Sequence, residues 1–445
     1  MKYYQITGGR PLQGEITISG AKNSALKIII ASLLSGGKCV LSNIPRIRDV
    51  EITLEMCQIL GCQYEWLGED ILAIDSSHLN NNTIPLEYRD KLRVPILFFG
   101  PLLHRFKEAH IPSPGGCQIG KRPVDFHIEG LKALGAEIEY SEKFYNAKAE
   151  NLKGALIELP YPSVGATENI LMNAVLAQGK TVIKNAAIEP EIEDLAVFLQ
   201  AMGAIIFQDI NRTWMVEGVD QLHPANYRVM GDRIEAASFG IAAIVTNGDI
   251  YIKGANQGDM MTFLNYLRKA GGKFEIFDEC IRFYGGTKDL KAVAVETDVH
   301  PGFMTDWQAP FVLLLTQAKG ISVVHETVYE DRLGYTKELN KMGSQIQLYT
   351  DCLGSRPCRF AHQEYFHSAV ILGPTKLKAA EVVVPDLRAG FSYILAALAA
   401  EGTSKLKNIE MIERGYSYLK EKLLSLGARI EEGEESPPAS GENQR

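Results

Sequence analysis

The sequence predicts an α/β protein made of six repeated units that divide into two lobes of three. Three recurring features predict this fold class: a helical pattern that ends at a glycine, a turn-and-strand phrase upstream of it, and an apolar helix before both. The glycine phrase recurs with a period of about 70 residues, which is longer than that of the familiar solenoids and favours repeated α/β units.

The glycine phrase reads CQILGCQYEW in its first copy and LKALGAEIEY in its second. A glycine just past the last helical residue can adopt the left-handed conformation that ends a helix, and an alternating strand pattern follows it in each copy. The capping glycines are Gly61, Gly135, Gly203, Gly271, Gly343 and Gly427.

The turn-and-strand phrase, GKCVLSN in its first copy, fixes the length of each unit. The span from its glycine to the next capping glycine is nearly constant in the five units where that glycine is Gly37, Gly179, Gly248, Gly320 or Gly402. In the second unit the corresponding span, from Lys107 to Gly135, is longer. The surplus falls in the SPGGCQIG loop, so this loop is an insertion into a regular unit, which favours a functional role.

That loop lies within residues 111–125, IPSPGGCQIGKRPVD. Proline fixes φ and the two glycines relax steric limits, so the segment can form a protruding loop. Cys117 stands close in sequence to Lys121 and Arg122, and a cysteine near cations can populate its thiolate or donate a proton. The alternative is a surface loop in which the cysteine is incidental.

The helix before each turn-and-strand phrase is hydrophobic almost all round, so each should be the buried helix of its unit. Polar residues are concentrated in the opening turns: Lys22, Asn23, Arg93, Ser163, Thr167, Arg233, Glu235, Asp306 and Arg388. One such residue is an ordinary cap or solvated end. Recurrence at the same place in six units predicts a shared pole that receives anions.

Two arginines occupy equivalent positions in neighbouring units. Arg332 and Arg414 each stand at the same distance after the turn glycine of their unit, at the turn from strand to helix. The equivalent residues are Glu191 in the third unit and Asp49 in the first. A lone arginine there is more often a surface salt bridge, whereas equivalent placement favours convergence on one cleft.

Composition limits the function classes. The chain has 445 residues, 46% hydrophobic and 22% charged, with a net charge of −8, which argues against general nucleic-acid binding. The N-terminus lacks the apolar core of a signal peptide, and apolar runs are shorter than the roughly 18 residues of a spanning helix. We therefore predict a cytoplasmic protein that does not bind membranes.

The seven cysteines are scattered, without a C-x-x-C motif, which fits a reducing compartment better than a disulfide framework. Cys358, His362 and His367 are close in sequence, but their spacing matches no zinc pattern. We therefore predict neither a metal site nor a cofactor.

The expected boundaries are 22–230 for lobe one, 1–21 with 231–430 for lobe two, and a disordered tail at 431–445 that is charged and rich in Pro, Ser and Gly. The longest spacing between capping glycines has its surplus near 351–368. The sequence suggests no chemical role for that insertion.

With SGAKNSAL, the cysteine loop and PDLRAG together, residues 3 to 430 resemble the bacterial UDP-N-acetylglucosamine 1-carboxyvinyltransferases, which are enolpyruvyl transferases. The resemblance implies two lobes of three βαβαββ-like units, each lobe an inside-out α/β barrel, with the active site between them. It also implies transfer of the enolpyruvyl group of phosphoenolpyruvate to the 3'-hydroxyl of UDP-N-acetylglucosamine with release of phosphate, which opens peptidoglycan precursor synthesis.

The resemblance implies catalytic roles for Lys22, Cys117, Asp306 and Arg414. Cys117 corresponds to the loop cysteine associated with proton delivery, product release and alkylation by fosfomycin, and Asp306 to the general base. The residues implied to bind substrate are Lys22, Asn23, Arg93, Arg122, Pro123, Val124, Asp125, Phe126, Ser163, Val164, Gly165, Asp306, Val328, Arg332, Arg388 and Arg414.

The residue types suit these substrates, because phosphoenolpyruvate and a nucleotide diphosphate together carry about five negative charges near pH 7. Arginine recognises phosphate and carboxylate with two parallel hydrogen bonds. The matching cations are Lys22, Arg93, Arg122, Arg332, Arg388 and Arg414.

Three alternatives stay open. Ser113, Met304, Trp307 and Pro385 depart from the family pattern, as does YEDRL, which leaves room for a paralogue acting on a related nucleotide sugar. A shikimate-phosphate enolpyruvyl transferase would lack the PGGC loop and usually has Ser where this chain has Asn23. A non-catalytic regulator that binds nucleotide sugar would need neither Cys117 nor Asp306.

Overall fold

The computed structural model describes residues 1–115, 124–356 and 358–435, and one α/β unit recurs through them. Its basic order is a short leading strand, an apolar helix, a strand, a second helix and a two-stranded hairpin. The six capping glycines all have φ between 88° and 105°, a conformation that only glycine adopts readily. The predicted repeat and its helix ends are therefore confirmed.

The helices are α1 Lys22–Ser32, α2 Arg48–Ile59, α3 Phe99–Phe106, α4 Asp125–Ala133, α5 Val164–Ala174, α6 Pro190–Ala201, α7 Arg233–Val245, α8 Gln257–Lys269, α9 Gln308–Thr316, α10 Thr336–Lys341, α11 Leu387–Ala399, α12 Glu410–Glu413 and α13 Leu419–Ser425. Short 3-10 turns, Val94–Phe98 and Thr305–Trp307, lead into α3 and α9.

The strands are β1 Lys2–Thr7, β2 Gln13–Thr17, β3 Lys38–Ser42, β4 Gln63–Trp66, β5 Leu72–Asp75, β6 Glu108–Pro112, β7 Glu137–Ser141, β8 Phe144–Lys148, β9 Leu156–Glu158, β10 Lys180–Lys184, β11 Ile205–Asp209, β12 Thr213–Glu217, β13 Asn226–Arg228, β14 Asp249–Lys253, β15 Lys273–Ile276, β16 Cys280–Tyr284, β17 Ala294–Glu296, β18 Gly320–His325, β19 Gln345–Tyr349, β20 Ser368–Gly373, β21 Glu381–Val383, β22 Thr403–Lys407 and β23 Arg429–Glu434.

The chain divides into two compact units. Lobe one is Ser19–Asp232 with Val299–Pro301, and lobe two is Met1–Ile18, Arg233–Asp298 and Gly302–Arg445. The boundaries expected from the sequence, after residues 21 and 230, lie close to the observed ones, after residues 18 and 232.

Each of the six repeated units is built around one small sheet, and three of these sheets include a strand from elsewhere in the chain: β13 joins the first, β2 the fourth and β1 the sixth. The orders in lobe one are β13-β3-β5-β4, β6-β8-β7 and β9-β10-β12-β11, and those in lobe two are β2-β14-β16-β15, β17-β18-β20-β19 and β21-β22-β1-β23. In the four-stranded sheets, the strand written first in each order runs parallel to its neighbour. The other pairs are antiparallel. The second unit replaces its leading strand with an isolated parallel bridge from Thr83 to His110.

The apolar helices form the centre of each lobe. In lobe two, α7, α9 and α11 contact one another and the surrounding sheets, and every residue of α7 and α9 is buried. In lobe one, α3 packs against α1 and α5. Helices inside and sheets outside are the expected inside-out arrangement. Among the described residues no helix is long and apolar enough to cross a membrane.

The expected tail is wrong at its start, because residues 431–434 belong to β23. This strand pairs antiparallel with β1, from Thr7 opposite Arg429 to Lys2 opposite Glu434. The acidic residues that suggested disorder lie near lysines: Lys420 Nζ is 3.0 Å and Lys2 Nζ 3.8 Å from the Glu432 carboxylate. The rest of the expected tail, 436–445, lies outside the described residues.

Candidate active site

In lobe two, two arginines hold the carboxylate of Asp306. Asp306 lies in the 3-10 turn before α9, where Arg332 Nη2 donates to its Oδ1 at 2.8 Å, and Arg388 Nε lies 3.3 Å from Oδ2. Both arginines are buried, and Asp306 keeps 15% of its side chain exposed. Three of the predicted residues, from two neighbouring units, thus form one charged group that remains accessible.

Neighbouring carboxylates raise the pKa of Arg332. Burial lowers it, but the negative charges of Asp306, Asp386 and Glu326 more than compensate, so the pKa is raised. Arg332 therefore stays a cation at the N-terminal ends of α9 and α11, where a bound anion is favoured.

Glu326, which was not predicted from the sequence, orders the segments on both sides of this group. It is fully buried, and Thr305 Oγ1 donates to it at 2.9 Å and Gln308 Nε2 at 2.5 Å. Its other oxygen accepts from the backbone N–H of Val328 at 2.8 Å and of Tyr329 at 3.0 Å. Burial raises the pKa of Glu326, while the charge of Arg332 opposes the shift. Glu326 therefore ties the turn carrying Asp306 to the loop carrying Val328.

Three further predicted residues lie in lobe two. Arg414 is half-buried and follows α12 directly. Arg233, at the start of α7, lies with its guanidinium 5.3 Å from the centre of the Trp307 ring, and Glu235 pairs with Lys422. The polar residues that open α7 are thus engaged within the lobe, which favours a structural role for them.

In lobe one, Lys22 and Asp49 form the corresponding pair. Lys22, the first residue of α1, has its Nζ 2.6 Å from Asp49 Oδ2 in the first turn of α2, and its backbone N–H donates to Asp232 at 3.3 Å. These are the positions that Asp306 and Arg332 occupy in the fifth unit. The repeat therefore places an ion pair at the same point in both lobes with the charges reversed.

A second ion pair lies one turn further along α1. Lys27 Nζ is 3.2 Å from the carboxylate of Glu168 in α5, and it also donates to the backbone carbonyl of Asn23. Burial raises the pKa of Glu168 to about 7, against the opposing effect of Lys27. Nearby, Ser24 and Tyr227 both donate to Asp194, the latter at 2.7 Å.

Five of the residues predicted to bind nucleotide sugar lie where α4 packs against α5: Asp125 and Phe126 in α4, and Ser163, Val164 and Gly165 at the start of α5. Ser163 is the N-cap of α5 and accepts from the Ala166 N–H, so Val164 and Gly165 form the first turn. A Cβ on Gly165 would lie 3.1 Å from the ring of His127, which follows Asp125 and Phe126 in α4. The small residue thus permits the close approach of the two helices.

A pocket of about 480 Å³ opens beside these helices. Arg93, Val124 and Asp125 line it, together with Ser113–Gly115 at the base of the cysteine loop. Its lining includes the cations Arg93 and Lys132, which suit an anionic ligand such as a sugar nucleotide. Cys117, Arg122 and Pro123 lie outside the described residues.

The residues missed from the sequence share one property, since Lys27, Glu168 and Glu326 are partners of predicted residues or neighbours of them. Glu168 was detectable as the one charged residue of the buried helix α5. Asp49 was identified from the sequence as the equivalent of Arg332, but its pairing with Lys22 was not predicted. Nothing local to the sequence marks Glu326, whose partners are distributed over residues 305–329.

Comparison with known proteins agrees with this arrangement. Residues 6–423 match the family model described as EPSP synthase (3-phosphoshikimate 1-carboxyvinyltransferase). The chain is 49% identical to a UDP-N-acetylglucosamine 1-carboxyvinyltransferase of Protochlamydia amoebophila, over 97% of this chain and 94% of that protein. Its identity to the enzyme of that name from Chlamydia abortus is 47%, over 96% and 97%.

Solved structures show the same fold at low identity. The enolpyruvyl transferase NikO from Streptomyces tendae superposes with a TM-score of 0.86 at 22% identity, covering 97% of this chain and 99% of that one. EPSP synthase from Acinetobacter baumannii gives 0.73 at 18% identity, covering 98% and 100%. Fold, family model and relatives together show that the chain belongs to the enolpyruvyl transferases and, within them, to the UDP-N-acetylglucosamine 1-carboxyvinyltransferase family.

Proposed function

We propose that this protein transfers the enolpyruvyl group of phosphoenolpyruvate to the 3'-hydroxyl of UDP-N-acetylglucosamine and releases phosphate. The observation that carries the proposal is the Asp306 carboxylate, held by Arg332 and Arg388 at the N-terminal ends of α9 and α11. Relatives at 46–49% identity over nearly the full length bear the name of this activity.

Asp306 is suited to act as the general base. Addition joins the sugar oxygen to C2 of phosphoenolpyruvate, so the hydroxyl must lose a proton while C3 gains one. The two arginines orient the carboxylate, and its remaining exposure leaves it accessible to a hydroxyl. Elimination then breaks the C2–phosphate bond and returns the C3 proton, which restores the double bond. We assign the acid role at C3 to Cys117.

We assign anion binding to cations whose positions are already fixed by neighbouring carboxylates. Lys22 is held by Asp49 and Arg332 by Asp306, so both cations are ordered before they meet a ligand, which lowers the entropic cost of binding. We assign the carboxylate and phosphate of phosphoenolpyruvate to Lys22, Arg122 and Arg414, with Arg332 and Arg388 as further clamps.

We assign the nucleotide sugar to the pocket of lobe one and its surroundings. Arg93 and Asp125 line that pocket, and the first turn of α5 presents Val164 and Gly165 beside α4. In lobe two, Val328 lies on the loop that Glu326 orders. The remaining assigned contacts are Asn23, Arg122, Pro123, Val124, Phe126, Ser163 and Asp306.

We place the protein in the cytoplasm, at the first committed step of peptidoglycan precursor synthesis, with Cys117 as the residue that fosfomycin alkylates. Free thiols at the described cysteines suit a reducing compartment. The proposal needs no cofactor, nucleic acid or membrane, because both substrates are small anions and the reaction is a proton-coupled addition and elimination.

An acceptor panel tests the proposal against its rivals. Phosphoenolpyruvate is offered with UDP-N-acetylglucosamine, a related nucleotide sugar or shikimate 3-phosphate, and products are identified by mass spectrometry. We expect an enolpyruvyl adduct with UDP-N-acetylglucosamine. Preference for a different nucleotide sugar would show that the protein is a paralogue with another acceptor. An adduct with shikimate 3-phosphate would show that it is a shikimate-phosphate enolpyruvyl transferase. Binding of UDP-N-acetylglucosamine without any adduct would show that it is a non-catalytic regulator.

A further inference from the structure

Four side chains able to bind a metal converge in lobe two, where the 351–368 insertion, for which the sequence suggested no role, meets the end of β18. They are His325, at the end of β18, and Cys352, Cys358 and His367, between β19 and β20. Their ligand atoms all lie within 4.8 Å of one another, and Cys352 Sγ is 3.3 Å from His367 Nε2. His362, which sequence proximity had grouped with them, is exposed and does not take part.

The ligand set and its dimensions suit zinc. Two thiolates and two imidazoles around a tetrahedral Zn²⁺, with bonds of about 2.3 and 2.0 Å, stand roughly 3.3–3.8 Å apart. The observed limit of 4.8 Å exceeds that spacing by about 1 Å, so the ligand atoms would approach one another by up to that distance around the ion. His325 and His367 are buried, Cys358 is half-buried and Cys352 is exposed. The two histidines are therefore fixed by packing, and a metal ion can reach the site from the side of the cysteines.

The surroundings orient the ligands as a metal site requires. His367 Nδ1 lies 2.7 Å from the carbonyl of Tyr365, and donation of that N–H leaves Nε2 with a lone pair facing Cys352. The Phe360 N–H donates to Cys358 Sγ at 3.3 Å, which fixes the position of the sulfur. A carboxylate oxygen of Glu296 lies 3.8 Å from His325 Nδ1.

His325 is the strongest indication. Its side chain is fully buried, yet neither ring nitrogen has a hydrogen-bond partner among the described residues. Glu296, at 3.8 Å from Nδ1, is beyond hydrogen-bond distance, and a buried imidazole without a hydrogen bond is costly, whereas a coordinate bond would satisfy it. The insertion also approaches the ring closely, because a Cβ on Gly354 would lie 2.0 Å from His325 Nδ1.

We propose that His325, Cys352, Cys358 and His367 form a structural Zn²⁺ site that fastens the 351–368 insertion to the sheet of the fifth unit. The local spacing hid this site, because His325 and His367 are brought together only by the pairing of β18 with β20, in which His325 stands opposite Ser368. Four protein ligands leave no open position, so the ion acts on structure.

The site adjoins the loop that carries Val328. The Glu326 N–H donates to the carbonyl of His367 at 2.7 Å, and Arg359 Nη2 donates to the carbonyl of Val328 at 2.6 Å. Zinc would therefore hold in place the insertion residues that anchor this loop. This consequence depends on the proposed function, whereas metal binding does not.

Metal content of the purified full-length chain tests the proposal. The chain is equilibrated with Zn²⁺ under reducing conditions and passed through gel filtration. We then expect about one zinc per chain by inductively coupled plasma mass spectrometry. Cys352→Ser and His367→Asn should each lower retained zinc at least about tenfold. The matched controls Cys280→Ser and His362→Asn should retain it. Cobalt exchanged into the wild-type chain should give the intense visible bands of tetrahedral thiolate coordination, independently of how well any variant folds.

Three results would overturn the site: no zinc retained by the wild-type chain, a cobalt spectrum of the octahedral aqua ion, or a stable disulfide between Cys352 and Cys358 in the reduced preparation. Each of these measurements reports on the metal site and does not depend on enzymatic turnover. A chain that binds zinc but makes no enolpyruvyl adduct would retain this inference and refute the proposed function.

Discussion

At the scale of single residues, Asp306 is the side chain on which the proposed chemistry depends most. Its two arginine contacts fix the carboxylate without burying it, so the group is oriented and still accessible. A base in a fixed orientation contributes more to the rate than a mobile one, because its alignment with the hydroxyl is established before the reaction.

Asp306→Ala should therefore lower turnover by about 10²–10⁴-fold, the usual contribution of general acid–base catalysis. Titration calorimetry should still show binding of UDP-N-acetylglucosamine, since Lys22, Arg93 and the pocket of lobe one are unchanged. The neighbouring exposed carboxylate offers a control, and Asp331→Asn should leave turnover as it is. Wild-type rates in Asp306→Ala would remove Asp306 as the base.

Glu168 gives a prediction about pH. Burial raises its pKa to about 7, so the folded protein binds this proton more tightly than the unfolded chain does. Stability from this group is therefore full below the ordinary carboxyl pKa and is lost as the pH rises through about 7, a difference of about 3 kcal/mol.

Urea unfolding at pH 5.5 and pH 8 measures about 2 kcal/mol of this difference, the part that is lost above pH 5.5. Glu168→Gln should flatten the dependence of the unfolding midpoint on pH over that interval. The exposed Glu193 of α6 provides the control, and Glu193→Gln should keep the wild-type slope. An unchanged slope in Glu168→Gln would show that the carboxyl titrates normally.

At the scale of elements, the helix ends were predictable because a capping glycine is a local requirement. The helix before it, the left-handed residue and the strand after it all lie within one short phrase, and the six phrases repeat. The ion pairs were not predictable in the same way. Lys22–Asp49 and Lys27–Glu168 join separate helices, so their partners depend on packing.

Two capping glycines with nearly equal φ provide a matched test of this requirement. Gly271 has φ 88° and Gly427 φ 90°, but a Cβ on Gly271 would lie 2.2 Å from the carbonyl oxygen of Asp289, whereas one on Gly427 meets no described atom within 4 Å. Gly427→Ala should cost about 1–2 kcal/mol through backbone strain. Gly271→Ala should cost about 1–3 kcal/mol more, through overpacking.

Thermal or urea unfolding of the two variants measures the difference. Both changes lie in lobe two, so a probe that reports on this lobe serves for both. Equal losses would mean that strain alone sets the cost of replacing a capping glycine, and that the contact with Asp289 relaxes freely.

The β23 strand shows where composition misleads. A run of glutamates at the chain end suggested disorder, but the strand gains main-chain hydrogen bonds from β1 and its acidic side chains lie near Lys2 and Lys420. The pairing partner stands at the opposite end of the chain, so no local pattern in the sequence indicates it.

At the scale of the whole molecule, the fold was predictable because one unit repeats. The two segments that depart from the repeat contain the proposed acid and three of the proposed zinc ligands. The cysteine loop breaks the regular length of the second unit, and the 351–368 insertion breaks that of the fifth. The sequence located both insertions. It assigned chemistry only to the first, because the cysteines and histidines of the second become one group only after β18 and β20 pair.

The reversed ion pairs belong to this scale as well. Lys22–Asp49 and Asp306–Arg332 occupy equivalent positions in the first and fifth units with opposite order of charge. One scaffold position thus presents a cation from the apolar helix in lobe one and a carboxylate from the same place in lobe two. The proposed reaction needs both, an anion clamp and a base.

Release of phosphate from phosphoenolpyruvate tests the central proposal most directly. The purified chain is mixed with phosphoenolpyruvate, with and without UDP-N-acetylglucosamine, and inorganic phosphate is followed over time. We predict release that requires the acceptor and matches it one for one, because phosphate leaves only after the sugar oxygen has added to C2. Release that is absent, or that proceeds equally without the acceptor, would contradict the proposed enolpyruvyl transfer.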